Sequence, residues 1–156
     1  MLKYLEYLNK NNLVNQELFF HTIFQKINFK KKNERVFYNK DKYTYPNIRH
    51  IWLLYLYAKI NNISLCRLCL HKSDKNKINS MIMIHTNKQI VGPLKQKKKY
   101  IEYHILFGYL QISLIQKSRI KIFKLNIKGD HKNLSIPADV FRTIESFSSP
   151  TIFLEI

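Results

Sequence analysis

Residues 92–108 read GPLKQKKKYIEYHILFG. The stretch opens with four lysines in five positions, Lys95 to Lys99 broken by Gln96, and closes as a strand, Tyr103-His104-Ile105-Leu106-Phe107, that stops at Gly108. Alternation along such a strand puts Ile101, Tyr103 and Ile105 on one face and Glu102 and His104 on the other. The first face is the one a core would take. The lysine run has two readings: a loop that neutralises phosphates, or a solvated loop at the mouth of a β-structure.

Working outward, the chain after residue 62 keeps the same character. ISLCRLCLH at 63–71, SMIMIHT at 80–86, YLQISLIQ at 109–116, IKIFKLNIKG at 120–129, NLSIP at 133–137, FRTIES at 141–146 and PTIFLEI at 150–156 all read as strands. With 100–108 they make about eight short strands separated by turn residues, the pattern of an antiparallel sandwich or barrel. Residues 108–109 and 116–119 are the expected hairpin connections. Ahead of them, RVFYNKD at 35–41 is a short strand. A helix is expected from Pro46 to Ile60, carrying Ile51, Leu54, Tyr55 and Ala58 on one stripe and ending at Asn61-Asn62. Residues 1–27 read as two short helices, with Asn15 the cap of the second, and Lys30–Lys32 as a basic connector. The expected division is a helical extension over 1–33, a strand and helix over 34–62, and a β-barrel over 63–156.

The 156 residues hold 27 Lys and Arg against 10 Asp and Glu, a net charge of +17, with 46% apolar and 13% aromatic residues. That apolar content belongs to a folded chain. The charge invites a polyanion, but Lys is used heavily together with Asn, Ile and Tyr, a bias that fills solvated positions with lysine regardless of partner. No apolar run reaches the 18 residues of a membrane span, and the N-terminus lacks the apolar segment of a signal peptide; a cytoplasmic location is the expectation. Cys66 and Cys69 form a lone C-x-x-C with no second pair for zinc. In a strand their offset puts the sulfurs on opposite faces, as ordinary buried thiols.

Arg67, Cys69 and His71 share one face of their strand. A buried Arg67 must find an anion or a carbonyl, with an internal carboxylate or surface exposure as the alternatives. Tyr103 is either a pocket residue, offering a ring or a hydroxyl, or core. His85 lies near the end of its strand and reads as structural or as a pocket residue. His21, His50 and His131 carry no constellation, and no Ser-His-Asp order, glycine-rich phosphate loop or carboxylate pair stands out.

The order of these pieces resembles the WbuC-like cupins of bacterial O-antigen and surface polysaccharide gene clusters. The landmarks are ERVFYNKD and its helix, CRLCLHKS, INSMIMIHTNKQIVGP, KYIEYHILFG, YLQISLIQKSRIKIFKL and LSIPADVFRTIES with PTIFLEI. The resemblance covers about residues 34–156 and implies a mainly β, cupin-type antiparallel sandwich or jelly roll behind N-terminal helices. In the family a Pro-His-x-His turn, a glutamate and a histidine of the closing motif hold a metal. Here Leu94, Gln96, Ile101 and Arg142 stand at those places, and Glu102 falls one residue from the glutamate position, on the opposite face. Leu and Ile have no lone pair to give and Arg is a permanent cation, so no metal or other cofactor is expected.

Arg67 and Arg142 together would make a cationic pocket for a carboxylate, sugar acid or phosphate, unless they pair internally with Glu145 or Glu155. The resemblance therefore implies a metal-free cupin binding a sugar, sugar nucleotide or small anion in surface polysaccharide assembly through Arg67, His71, His85, Tyr103 and Arg142. As an enzyme it would be a metal-independent isomerase or epimerase of sugar nucleotides, using His and Tyr as acid and base. Two alternatives stand beside it: a non-catalytic shell that oligomerises, as cupins commonly do through their sheets to give a homodimer, and a nucleic-acid-binding protein working through Lys95, Lys97, Lys98 and Lys99.

Overall fold

The computed structural model describes residue 24 and residues 29–40, 47–71, 79–97, 100–117 and 119–156. The helices expected over 1–27, their cap Asn15 and the helix start at Pro46 lie outside the described residues, apart from a helical, buried Phe24. In chain order the described elements are β1 (Phe29–Asn33), β2 (Val36–Asn39), α1 (Ile48–Ile60), β3 (Leu65–Cys69), β4 (Met81–His85), β5 (Gln89–Lys95), β6 (Ile101–Phe107), β7 (Tyr109–Gln116), β8 (Arg119–Asn126), β9 (Asn133–Ile136), β10 (Phe141–Ser146) and β11 (Thr151–Glu155).

The strands form two sheets. The larger runs β1-β2-β3-β4-β11-β6-β9 and the smaller β5-β10-β7-β8. Every ladder is antiparallel except β2 against β3, which lie parallel because the chain crosses between them through α1. Asn47 starts that helix. Its side chain accepts from the amides of Arg49 at 3.0 Å and His50 at 3.2 Å, satisfying two donors that the first turn leaves open. Asn61 ends it, its amide donating to the Tyr57 carbonyl at 3.1 Å, and Asn62 follows at φ 54°.

Strands β3, β4 and β11 have no solvent side. Cys66, Leu68, Ile82, Ile84 and Ile152 pack with Phe37 against Ile51, Leu54, Tyr57 and Ala58 of α1. Leu54, Leu68 and Ile84 are completely buried there, each contributing on the order of 2 kcal/mol. The other face carries Tyr103, Ile105, Ile136 and Phe153 and meets Leu110, Ile112, Leu125 and Ile144 of the smaller sheet. Both thiols are buried and the two point to opposite faces, as their spacing requires: Cys66 lies in the helix seam, while Cys69 takes the parity of Arg67. Burial pushes the Cys66 thiol up to about 12.

The structure corrects the sequence reading in four places. Residues 30–32 are not a connector but part of edge strand β1, in which only Phe29 is buried. The stretch at 92–97, expected as a turn, continues strand β5 to Lys95, with a register shift where it pairs β10 between Arg142 and Ile144. Within α1 the buried tyrosine is Tyr57, not Tyr55; its hydroxyl donates to Glu34 at 3.0 Å. Residues 108–109 do not close a hairpin. Gly108 carries the chain from β6 in the larger sheet to β7 in the smaller. The connection at 116–119 is the expected hairpin, paired from Tyr109 with Asn126 to Gln116 with Arg119.

Gly108 sits at φ +82°, and a Cβ there would meet the Pro150 carbonyl at 2.5 Å and the Ser148 hydroxyl closer still. Gly108→Ala therefore carries both left-handed strain and a clash at the crossing between sheets. It is expected to lose roughly 2 kcal/mol or more in urea unfolding, against about 1 kcal/mol for removal of the helix cap in Asn47→Ala.

Candidate functional site

The smaller sheet places a cation where alternation alone would put an apolar residue. Along β10, Ile144 and Ser146 face inward while Phe141 and Glu145 do not, so Arg142 also points into the sandwich. Phe141 is 45% exposed and Arg142 only 4%. Cross-strand register sets Arg142 beside Leu94 of β5 and Leu114 of β7, both packed into the sandwich core. Its Nε donates to the Tyr103 hydroxyl at 2.7 Å, which bridges the two sheets, and its guanidinium carbon stands 5.7 Å from the Tyr103 ring centre.

Tyr103 is fully buried on β6, and Glu155 of β11 is its cross-strand neighbour. Burial raises the Glu155 pKa, while Arg142, the Tyr103 hydroxyl and Arg67 each hold it down. Burial also raises Tyr103, and the Glu155 charge adds to that; Arg142 pulls the other way. Of the two carboxylates considered for the arginines, Glu155 is the one whose charged form the two arginines favour. Glu145 faces outward and accepts from Gln111 at 3.4 Å.

The remaining candidates divide. Arg67 on β3 is half-buried opposite Met83, and its Nε is buried with no hydrogen-bond partner among the described residues. His85 is 1% exposed on the same inward face, its ring edge-on to Phe153 at 5.1 Å, and neither ring nitrogen has a hydrogen-bond partner among the described residues. Burial lowers its pKa to about 4. His71 is held elsewhere, donating from Nδ1 to the Ser80 carbonyl at 3.0 Å with its ring edge-on to Tyr38 at 5.8 Å. Among the positions where the resemblance places metal ligands, Ile101 is core, Leu94 packs against that core, and Gln96 is exposed, its carbonyl accepting from the Asp139 amide at 2.8 Å. Glu102 lies across the strand and meets His104 at 3.2 Å.

Sequence reasoning missed Ser146. Its hydroxyl accepts from the Gln89 amide at 3.1 Å and donates to the Asn87 carbonyl at 3.3 Å, tying β10 to the start of β5. The signal was its inward parity with Arg142 and Ile144.

No protein-family model and no curated protein matches the chain. Solved structures do. The CENP-C cupin domain of Drosophila melanogaster superposes with a TM-score of 0.51 at 10% identity, over 60% of this chain and 66% of that one. A cupin superfamily protein from Desulfitobacterium hafniense gives 0.47 at 16%, over 58% and 73%. Drosophila CENP-C bound to CAL1 gives 0.47 at 13%, over 54% and 64%. The chain thus spans about two thirds of the length of the Drosophila structures. At such identity the likeness concerns fold alone, and the fold is a cupin-type jelly roll of two packed sheets.

The His85 pKa gives a test by pH. A histidine whose folded pKa is depressed stabilises the protein fully above its unfolded value of 6.5, and that contribution is lost as pH falls toward about 4. The loss amounts to roughly 3 kcal/mol at most. Urea unfolding of the wild type and of His85→Phe at pH 7, 5.5 and 4 is expected to show the stability gap shifting toward the variant as pH falls.

Proposed function

We propose that this chain is a non-catalytic cupin shell that associates with a second copy of itself through the outer face of the smaller sheet. The single observation that carries the reading is the exposure of that face. Ladder register lines up Phe141, Ile115 and Ile120 in one row and Thr143, Ser113 and Ile122 in the next. Ile120 is 66% and Ile122 55% exposed, with Ile90 at the β5 edge 68% exposed. Apolar residues on the solvent side of a sheet usually mark a contact surface.

Charge supports the choice of a second copy. Copies of a chain at +17 repel, and they approach best where charge is sparse. This face carries Lys95 at one corner, and its third row sets Glu145 and Lys124 on either side of Gln111. Rotation about a two-fold axis through the face would set Lys124 of each copy against Glu145 of the other. The interior supports the non-catalytic half. His85 and Tyr103 are both shifted away from neutrality, the reverse of what an acid–base pair at pH 7 requires. Of the lysine run, Lys95 is engaged within the chain, pairing with Asp139 at 3.0 Å and lying over the Phe141 ring.

A second reading, the sugar, sugar-nucleotide or small-anion binder of surface polysaccharide assembly, rests on the WbuC-like resemblance and is favoured by the two arginines on the inward faces of the sandwich.

Light scattering coupled to size exclusion decides the first reading. Twice the 18.8 kDa chain mass is expected at micromolar concentration, and a single-chain mass for Ile122→Glu with unchanged circular dichroism. A wild type that stays at one chain mass at about 100 µM, where even weak specific pairs form, overturns it.

A further inference from the structure

An open cleft of about 840 Å³ lies where β7 turns into β8, lined by Ile115, Gln116, Lys117, Arg119, Asp139 and Phe141. Ladder register brings these residues together. Phe141 of β10 pairs with Ile115 of β7, and Gln116 pairs with Arg119 across the hairpin. The Asp139 amide donates to the Gln96 carbonyl at 2.8 Å, which holds the start of β10 against the end of β5. The volume is that of a small-molecule site.

The lining has two characters. Ile115 and Phe141 are apolar, and Phe141 is 45% exposed. Lys117 and Arg119 are exposed cations with no acidic partner among the described residues. Asp139 is already engaged by Lys95 at 3.0 Å, and that ammonium also lies 4.9 Å from the Phe141 ring centre. Lys95 and Asp139 cancel, so Lys117 and Arg119 leave the cleft with two positive charges.

The backbone singles out Lys117 as well. It sits at φ 52° and Asp139 at φ 64°; among the described non-glycine residues only Asn62 shares a positive φ. Asn and Asp tolerate that conformation, whereas a long side chain is an outlier there. A two-residue hairpin connection ordinarily takes Asn-Gly or Asp-Gly, yet residues 117–118 are Lys-Ser. A turn rule broken at a cleft points to a use for the side chain.

Arg presents a fork of donors that matches phosphate oxygens, and Lys adds a point charge. A phosphate monoester carries close to two negative charges at pH 7, as many as the cleft leaves open, where a carboxylate carries one. Ile115 and Phe141 offer contact to a flat apolar ring.

We propose that this cleft binds a phosphate monoester carried on a flat ring, its phosphate on Lys117 and Arg119 and its ring against Phe141 and Ile115. A free mononucleotide or the terminal phosphate of a nucleic-acid strand would each supply that group. The site is separate from the sandwich interior. It shares Phe141 and Ile115 with the face proposed to pair, so binding is measured in wild type and in Ile122→Glu, whose altered residue is outside the lining.

Isothermal titration tests it with phenyl phosphate, inorganic phosphate, benzoate, adenosine monophosphate and a terminally phosphorylated oligothymidylate. Salt is held at about 150 mM, which screens charges beyond about 8 Å. Phenyl phosphate is expected to bind about tenfold more tightly than inorganic phosphate or benzoate. Lys117→Asn and Arg119→Met should each weaken it about tenfold, the size of one charge-assisted contact. Lys117→Asn should also raise the melting temperature, because Asn suits that backbone, and a loss of affinity in a more stable chain is no folding defect. Phe141→Ser should weaken phenyl phosphate and leave inorganic phosphate unchanged. Lys88→Asn, which removes an exposed charge outside the cleft, should change nothing. Adenosine monophosphate binding as tightly as the strand supports a free nucleotide, and tighter binding of the strand supports nucleic acid. Binding in Ile122→Glu alone keeps the site and shows that paired copies cover it. No binding of phenyl phosphate to either chain, or equal losses in Lys88→Asn and Lys117→Asn, overturns the proposal.

Discussion

The larger sheet is buried on both faces at its centre, and the rest of the fold follows from that. A strand such as β4 alternates its side chains between two sides, so Ile82 and Ile84 need one cover while Met83 and His85 need another. Helix α1 supplies the first and the smaller sheet the second. The β2–α1–β3 crossover exists to lay the helix on its face, which is why one parallel ladder interrupts an otherwise antiparallel architecture. Gly108 exists to lead the chain round to the other.

Most of this was legible because alternation is a strong signal where one face is apolar. Strands β3, β4, β6 to β8, β10 and β11 were read with boundaries close to those observed. What was missed had physical reasons. Strand β1 buries one residue in five, so its sequence has no period to see. Strand β5 contains Gly92-Pro93, which reads as a turn, yet the strand accommodates it beside a bulge near the sheet's edge. Tyr57 displaced Tyr55 from the buried stripe because Glu34 gives its hydroxyl a partner, which residue spacing cannot show.

The interior site was only half legible. Alternation put Tyr103 inward, and the structure agrees. Strand β10 defeats any hydrophobic reading, since it exposes Phe141 and buries Arg142. What makes this tolerable is the Tyr103 hydroxyl across the sandwich, 39 residues away in sequence, and the Glu155 charge contributed by the next strand of the other sheet. Such long-range compensation leaves no local trace. Burial moves both Tyr103 and His85 away from neutral titration, and the Arg142 charge offsets this only in part at Tyr103.

The two cysteines acquire a use from the sheet that separates them. Cys66 lies in the seam beneath α1 and Cys69 on the face turned to the smaller sheet, both almost completely shielded. A thiol reacts only when its shield lifts. Their alkylation rates would therefore time two different openings, the helix peeling from the sheet and the two sheets parting. The molecule thus carries a built-in pair of clocks, one for each of its cores.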